Sequence, residues 1–245
     1  MIFFNNIALE QVAPVKIVDI HVSPISMTVQ ARQRPVAWGA DFVRLTGGSR
    51  TINIDFALLT MNRDERQNQL AAITQWAASD TPGKLMLPNR RDAYLECICT
   101  GLPEPSLRQW WESKLRLTFK TFDNPYWTSI TEKSIHFGNE FIVLGTAPPL
   151  MRLEGTVDSA IATNEYFVVA PGRDENGYEV MYFTQIPAGD LKIDLNHQTA
   201  AVGNVSIMNY YTFSSSFLRP HTGKLYFFCS SAYVNCSTKW RERWQ

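Results

Sequence analysis

Short runs of β-branched and aromatic residues, separated by Gly, Pro, Asn and Asp, extend along most of this 245-residue sequence. This pattern is typical of an antiparallel, mainly β protein. The segment Lys114–Lys120 alternates polar and apolar residues without a miss. Because successive side chains of a strand point to opposite faces, one face packs inward and the other meets solvent or a partner. In the first half, strands are predicted at Val15–Val22, Ser26–Gln30, Arg50–Leu59, Tyr94–Thr100 and Lys114–Phe122.

One segment follows a helical period instead. Leu70, Ile73 and Ala77 recur at spacings of three and four, which predicts an amphipathic helix over Arg63–Ala78. Asn62 stands where it can cap the first turn, and Glu65 stands where a capping-box partner would. We expect this single helix to lie across one face of a sheet.

The length allows one large domain or two small ones. The alternation fades after Trp127, so we predict an N-terminal domain over residues 1–135 and a C-terminal domain over residues 136–245. Asn176-Gly177 is a hairpin-turn signal, because both residue types tolerate the positive φ of tight hairpins. Short strands at roughly ten-residue spacing indicate a sandwich or jelly roll. They are predicted at Phe141–Leu144, Glu165–Val169, Glu179–Phe183, Leu191–Asp194, Thr199–Val202, Ser206–Met208, Lys224–Cys229 and Tyr233–Arg243.

Charge and composition exclude several classes of partner. The chain has 23 Lys and Arg against 23 Asp and Glu, so its formal net charge is zero. No global field attracts it to nucleic acid or anionic lipid, and neither sequence-specific nucleic-acid binding nor a membrane partner is expected. No apolar stretch approaches the roughly 18 residues of a membrane span, and the N-terminus does not resemble a signal peptide. We expect the chain to fold in a cytoplasm with its four cysteines as thiols.

The sequence contains no recognisable catalytic set. Its four histidines adjoin no nucleophile motif, and no Gly-x-Ser-x-Gly is present. Paired Cys or His at zinc-ligand spacing is absent, as is a glycine-rich phosphate loop. We therefore expect no enzyme activity, catalytic residue, metal site or cofactor. Trp110-Trp111 is a candidate interaction site, because adjacent strand residues point to opposite faces. The alternative is a loop that folds back on its own domain.

The order of features along the chain resembles the distal tail (Dit) protein family of siphophages and prophages. The resemblance covers nearly the whole chain, and it rests on the order and spacing of its motifs. Asn6 stands where the family commonly has Gly, and a turn tolerates Asn at positive φ. The motifs are Phe4-Asn5-Asn6-Ile7, the helix Arg63–Ala78 followed by Lys84–Pro88, Leu117–Tyr126, Leu191–Asp194 and the closing Lys239–Trp244.

This resemblance implies a structural virion protein at the tail tip, assembled in the cytoplasm of a bacterial host. The implied fold is an N-terminal β-sandwich with one α-helix and a hairpin or arm, followed by a galectin-like, jelly-roll β-sandwich. Distal tail proteins form a homo-hexameric ring that links the tail tube to the tip or baseplate and lets DNA pass through its lumen. The implied partners are the tail tube protein, the tape measure protein, the tail-associated fibre or lysin protein and receptor-binding proteins.

If this ring exists, the segment Arg32–Arg50 is the predicted arm that reaches a neighbouring subunit. It is a long excursion between strands, and Arg34, Trp38 and Phe42 are its candidate intersubunit contacts. The alternative is a hairpin folded on its own sheet. A second function remains open, a carbohydrate-binding β-sandwich for host-surface adhesion, because such sandwiches often bind glycans. Its aromatic platform would be Tyr178 with Tyr182, or Tyr210 with Tyr211.

Overall fold

The protein is described by a computed structural model that covers the chain except residues 34–39, 61, 104–114, 123, 172–176 and 213–216; residues 27–33 and 40–47 are described by their backbone alone. Two compact units are present, Met1–Trp127 together with Gln245, and Thr128–Trp244. The described part is mostly antiparallel strand, so the predicted mainly β class is confirmed.

In the first unit, most strands form one antiparallel sheet in the order β3-β6-β9-β8-β7-β1-β2. Alternate residues of β6 and β9 are buried, as the period-two pattern predicts. The elements are β1 Phe3–Phe4, β2 Ile7–Ala8, α1 Leu9–Val12, β3 Val15–Val22, β4 Met27–Gln33, β5 Ala40–Gly47, β6 Thr51–Leu58, α2 Arg63–Ala77, β7 Gly83–Leu87, β8 Arg90–Gly101 and β9 Leu115–Thr121.

Helix α2 lies across this sheet, as the sequence predicts. Its buried residues include Leu70, Ile73 and Ala77. The Trp76 indole Nε1 donates to the Ile7 carbonyl at 3.0 Å, and its ring meets those of Phe4 and Phe119 at 5.8 and 6.3 Å. The helix is therefore fixed to the sheet by apolar burial and by one directional hydrogen bond.

The start of α2 differs from the predicted capping box. Asn62 does cap the helix, since its Oδ1 accepts from the Asp64 N–H at 3.0 Å. Glu65 does not reach the Asn62 N–H. Thr60 lies between them, because its hydroxyl donates to Glu65 at 2.8 Å and accepts from the Asn62 N–H at 3.3 Å. The chain also has the short helix α1, which its sequence did not predict.

The N-terminal turn explains why asparagine is accepted at position 6. Phe4 pairs with Ile7, so Asn5 and Asn6 form a two-residue hairpin turn between β1 and β2. Their φ angles are 50° and 68°. Asparagine tolerates these left-handed angles better than most residues, and the pair gives the twist that a tight hairpin needs.

The second unit is a two-sheet sandwich. One sheet runs β18-β17-β16-β13-β20-β11, and the other is four-stranded, β12-β19-β14-β15. The elements are β10 Trp127–Ser129, which begins in the first unit, β11 Lys133–His136, β12 Glu140–Val143, β13 Ala147–Val157, β14 Glu165–Ala170, β15 Glu179–Phe183, β16 Gly189–Asp194, β17 Thr199–Val202, β18 Val205–Ser206, a 3₁₀ turn at Met208–Tyr210, β19 Gly223–Cys229 and β20 Val234–Trp244.

The core of this unit fills the space between its two sheets. Leu153 and Ile193 contribute from one sheet, and Phe167 and Phe227 from the other. Phe141 and Trp240 meet across the layer with ring centroids 4.4 Å apart. Inward residues of both sheets thus form one apolar layer, which is how a β-sandwich holds together.

One predicted detail of the second unit is wrong. Ser206–Met208 is not one strand, because β18 ends at Ser206 and the 3₁₀ turn begins at Met208. The hairpin predicted between β14 and β15 is present, with Val169 opposite Glu179. Of the Asn176-Gly177 turn signal, Asn176 lies outside the described residues, and Gly177 has the positive φ of +78°.

Candidate interaction surfaces

We define the hairpin arm as β4 and β5, which follow β3 and precede β6 along the chain. In the described part of the chain, β4 and β5 pair with each other in a separate two-stranded sheet, with Met27 opposite Gly47 and Gln33 opposite Ala40. The register shifts between Gln30 and Ala31, which indicates a bulge. The hairpin therefore begins within the predicted strand Ser26–Gln30, and the predicted excursion Arg32–Arg50 contains the end of β4, all of β5 and the three residues after it.

The root of the arm is tied together by hydrogen bonds between its two connections. Gly48 N–H donates to the Ser26 carbonyl at 2.6 Å, and the Ser26 hydroxyl donates to the Ser49 carbonyl at 2.9 Å. Thr51 N–H donates to the Ser23 hydroxyl at 2.8 Å. A Cβ at position 48 would overlap both Ser26 oxygens, so glycine permits this close approach.

The predicted contact residues lie outside what the structure describes. Arg34 and Trp38 fall within residues 34–39, and Trp110 and Trp111 fall within residues 104–114. Phe42 is described by its backbone alone, opposite Ala31 in the arm. Their roles as intersubunit contacts therefore stay predictions.

Strand β3 is an edge of the first unit's sheet among the described strands. It pairs with β6 on one side, and its register shifts between Ile17 and Asp19. Val18, at this irregularity, is 44% exposed. A strand edge presents unpaired backbone groups that another chain can pair with, and bulges and charged residues limit such pairing.

The outer faces of the two sheets in the second unit differ in chemistry. On the sheet that contains β13 and β20, the outward residues form ion pairs. Glu154 lies 2.6 Å from Lys239 Nζ and 2.7 Å from Arg152 Nε, and Arg152 also reaches Glu132 at 3.0 Å. This face is a solvated network of charges.

The four-stranded sheet instead carries an aromatic face, which we define as Tyr166, Tyr182, Tyr226 and Phe228. The Tyr166 ring lies 5.6 Å from that of Tyr182 and 5.9 Å from that of Phe228, and Phe228 lies 6.2 Å from Tyr226. Tyr182 is 39% exposed. The rings form a continuous row across β15, β14 and β19, and such a row is a candidate contact surface.

The tyrosines named from the sequence divide between this face and the core. Tyr182 belongs to the aromatic face, and Tyr178 lies just before β15, 50% exposed. Tyr211 packs on Phe183 and Phe217 with ring centroids 5.9 and 5.7 Å apart, and Tyr210 also packs against the core. Tyr166, Tyr226 and Phe228 were not singled out from the sequence, because their common face depends on strand register.

The cysteine thiols are poor nucleophiles in this fold. Burial raises the pKa of Cys229 to about 11 and that of Cys236 to about 12. Burial also raises the pKa values of Cys97 and Cys99 above the ordinary range. The thiolate is the reactive form, so these side chains act as small apolar residues near neutral pH.

One serine–histidine contact exists that the sequence did not reveal. His136 and Ser237 are directly opposite each other on β11 and β20, with Nδ1 and Oγ 3.0 Å apart. Nucleophilic catalysis also needs a group that orients the base. Among the residues that the structure describes, no carboxylate contacts the His136 ring, so the pair is a cross-strand hydrogen bond.

Within the described ranges, no cluster of three His, Cys, Asp or Glu side chains is arranged to hold a metal ion. Of the helices that the structure describes, none is long and apolar enough to cross a membrane.

The chain matches no protein-family model and no curated protein. Its fold matches the crystal structure of the phage SPP1 Dit (gp 19.1) protein, described as a paradigm of the hub adsorption apparatus in phages that infect Gram-positive bacteria. The TM-score is 0.72 at 9% identity, with 100% of this chain and 98% of that chain covered. The chain therefore has the fold of a distal tail protein over its whole length, which confirms the resemblance at the level of the fold.

Two structures of the phage P2 baseplate in its activated conformation, with Ca and with Sr, are also similar. Their TM-scores are 0.45 and 0.44, at 9% and 10% identity, over 95% of this chain and 91% of each matched chain. The fold assignment rests on the SPP1 protein alone.

Proposed function

We propose that this protein is a structural component of a phage tail tip, a distal tail protein whose copies form a hexameric ring. The ring links the tail tube to the tip or baseplate, and DNA passes through its lumen. The observation that carries this proposal is the match to the SPP1 Dit fold over 100% of the chain. The proposed partners are the tail tube, tape measure and tail-associated fibre or lysin proteins, with receptor-binding proteins anchored at the ring.

The hairpin arm supports the proposal on physical grounds. A closed ring needs two different complementary faces on each subunit, because its interface is heterologous. The arm supplies one such element, since β4 and β5 pair with each other and are tied to the sheet at a hydrogen-bonded root. The β3 edge, away from its bulge at Val18, supplies backbone groups for a second.

The role is structural rather than enzymatic in this proposal. The thiols are held protonated by burial, and the described serine–histidine pair is exposed on a sheet surface. The network of charges and the aromatic face are both suited to contact with other molecules. In the proposed role, the protein holds neighbouring tail proteins in fixed positions.

Negative-stain electron microscopy of the concentrated full-length chain tests the ring. We expect round particles with a central hole and six-fold averages. Particles without a hole, or averages with another symmetry, would contradict the proposed architecture. The variant Gly48→Ala is informative in the same experiment, because it strains the arm root while leaving the sheet cores untouched.

The aromatic face favours one alternative function, carbohydrate binding during host-surface adhesion. Tyrosine rings present an apolar face with a polar tip, which suits the mixed surface of a sugar. A glycan array probed with the natural chain and with Tyr182→Ala separates the two functions. Binding that is lost in Tyr182→Ala but kept in Tyr233→Ala, another exposed tyrosine, would establish the adhesion role; an array without signal would remove it.

A further inference from the structure

Arg50 is buried at the root of the hairpin arm. It stands directly before β6, two residues after Gly48, and only 6% of its surface is exposed. Its backbone makes two hydrogen bonds with Thr121 at the end of β9, since its N–H donates to the Thr121 hydroxyl at 2.8 Å and its carbonyl accepts from the Thr121 N–H at 2.9 Å. The backbone from which the side chain extends is therefore fixed to the sheet.

None of the ion pairs between described residues includes Arg50. Its buried Nε has no hydrogen-bond partner among those residues. Burial lowers the pKa of Arg50, and the positive charge of Arg90 lowers it further. Arg90 lies over the Trp127 ring at 5.2 Å, so the neighbouring charge is also positive.

Two other arginines have the carboxylate partner that Arg50 lacks among the described residues. Arg116 forms a two-point contact with Asp55, at 2.6 and 2.9 Å, and Arg152 contacts Glu132 and Glu154. Both are far more exposed than Arg50. A charge taken from water without a partner costs free energy, so the more deeply buried arginine is the one that most needs a carboxylate.

We propose that Arg50, with Arg90 beside it, is a receptor site for a carboxylate side chain of a neighbouring copy of this chain. The proposal rests on the proposed ring. The planar guanidinium fork fits a carboxylate at two points, and Arg90 adds attraction for a negative charge. Two neighbouring arginines match a single carboxylate, whereas a nucleic-acid backbone needs an exposed row of cations. Continuity with the arm root places the site beside the proposed intersubunit contact.

The test compares full-length Arg50→Met with the natural chain. Methionine keeps the apolar stem and removes the unpaired charge, so the unassembled chain should be as stable as the natural chain or more stable. Association should weaken by roughly 30-fold or more, the lower end of the range for loss of one partner of a buried charge pair. Arg116→Met is the matched control, since it removes a paired surface arginine and should leave association unchanged.

A second measurement separates this proposal from the ring itself. Thermal unfolding of the natural chain and of Arg50→Met is followed in sodium acetate and in sodium chloride at equal ionic strength. Acetate should raise the melting temperature of the natural chain and not that of the variant. If acetate stabilises only the natural chain and that chain stays monomeric, the carboxylate site is supported and the ring is contradicted. Equal effects of acetate on both proteins, with Arg50→Met as destabilising as a core truncation, would overturn the site.

Discussion

The carboxylate of Glu154 lies 2.6 Å from Nζ of Lys239, its diagonal neighbour across β13 and β20. Arg152 lies 2.7 Å from the other oxygen of the same carboxylate. The hydrogen bond from Lys239 is the main cause that lowers the pKa of Glu154, and the charges of Arg152, Lys239 and Lys192 add to it against the effect of burial. One carboxylate thus neutralises several cations on the outer face of this sheet.

The Glu154 contact predicts a pH dependence of stability. A carboxylate whose pKa is lowered by folding stabilises the fold above its unfolded pKa of about 4.3, and this stabilisation is lost as the pH falls through the folded pKa. Glu154→Gln should lower the free energy of unfolding by about 1 kcal/mol at neutral pH. The difference from the natural chain should shrink below about pH 4.3, as measured by urea unfolding at several pH values.

The control for this prediction is Glu140→Gln. Glu140 pairs with Lys224, but both side chains are about 60% exposed, so water and salt screen the pair. We expect no measurable change in unfolding. An equal loss of unfolding free energy in Glu140→Gln and Glu154→Gln would show that the contact between Glu154 and Lys239 contributes no more than an exposed ion pair.

The cap of α2 gives a second prediction. Asn62→Ala removes the side-chain oxygen that accepts from the Asp64 N–H, so the free energy of unfolding should fall by about 1 kcal/mol. Asn62→Asp keeps the acceptor and places a negative charge at the positive end of the helix, so it should retain the stability. Chemical unfolding followed by circular dichroism checks both. Equal losses in the two variants would show that the cap is not the cause.

Gly155 gives a third prediction, because it lies where β13 and β20 approach each other. A Cβ there would overlap the Asn235 carbonyl oxygen and the Cys236 Cα, both of which are backbone atoms. Gly155→Ala should therefore destabilise the chain by about 2 kcal/mol or more. Gly203 has φ +57° but open space around it, so Gly203→Ala should cost only about 1 kcal/mol of backbone strain. The reverse order of melting temperatures would refute this account.

Much of the fold could be predicted from the sequence, because local patterns decide it. Val15–Val22, Glu179–Phe183 and Thr199–Val202 were predicted with the bounds that the structure has. Each of these segments is short and is bounded by turn residues, so the residue pattern and the turn residues indicate the same strand bounds.

The long strand β13 could not be predicted from its pattern. It contains Pro148, Pro149 and Gly155, which ordinarily indicate the end of a strand. The prolines coincide with the register shift between Ala147 and Leu150, where the ladder with β20 is interrupted, and Gly155 permits a close backbone approach. Ser206–Met208 was misplaced for a related reason. Gly203 and Asn204 form a two-residue turn between β17 and β18, so the strand after this turn begins at Val205 rather than at Ser206.

The candidate surfaces were predictable only in part. The excursion that forms the hairpin arm is visible in the sequence as a long segment between strands. The burial of Arg50 and the row of Tyr166, Tyr226 and Phe228 depend on which strands pair and in what register, and no local pattern encodes this.

A fourth prediction concerns Arg34 and Trp38, which lie outside the part of the chain that the structure describes. Trp38→Ala, or the charge reversal Arg34→Glu, should weaken association by roughly tenfold or more if these residues contact a neighbour. The free energy of unfolding of the unassembled chain should change by less than about 0.5 kcal/mol, as is usual for surface positions. Sedimentation and chemical unfolding measure the two effects. Equal losses of assembly and folding would contradict an arm that reaches a neighbour.

The central claim is that this chain assembles into a ring of six. The most direct measurement is the absolute mass of the full-length protein by light scattering coupled to size exclusion, over a concentration series. The account predicts a species of six copies of the 27.9 kDa chain that grows at the expense of single chains as the concentration rises. A mass that stays at one or two chains throughout the series would contradict it.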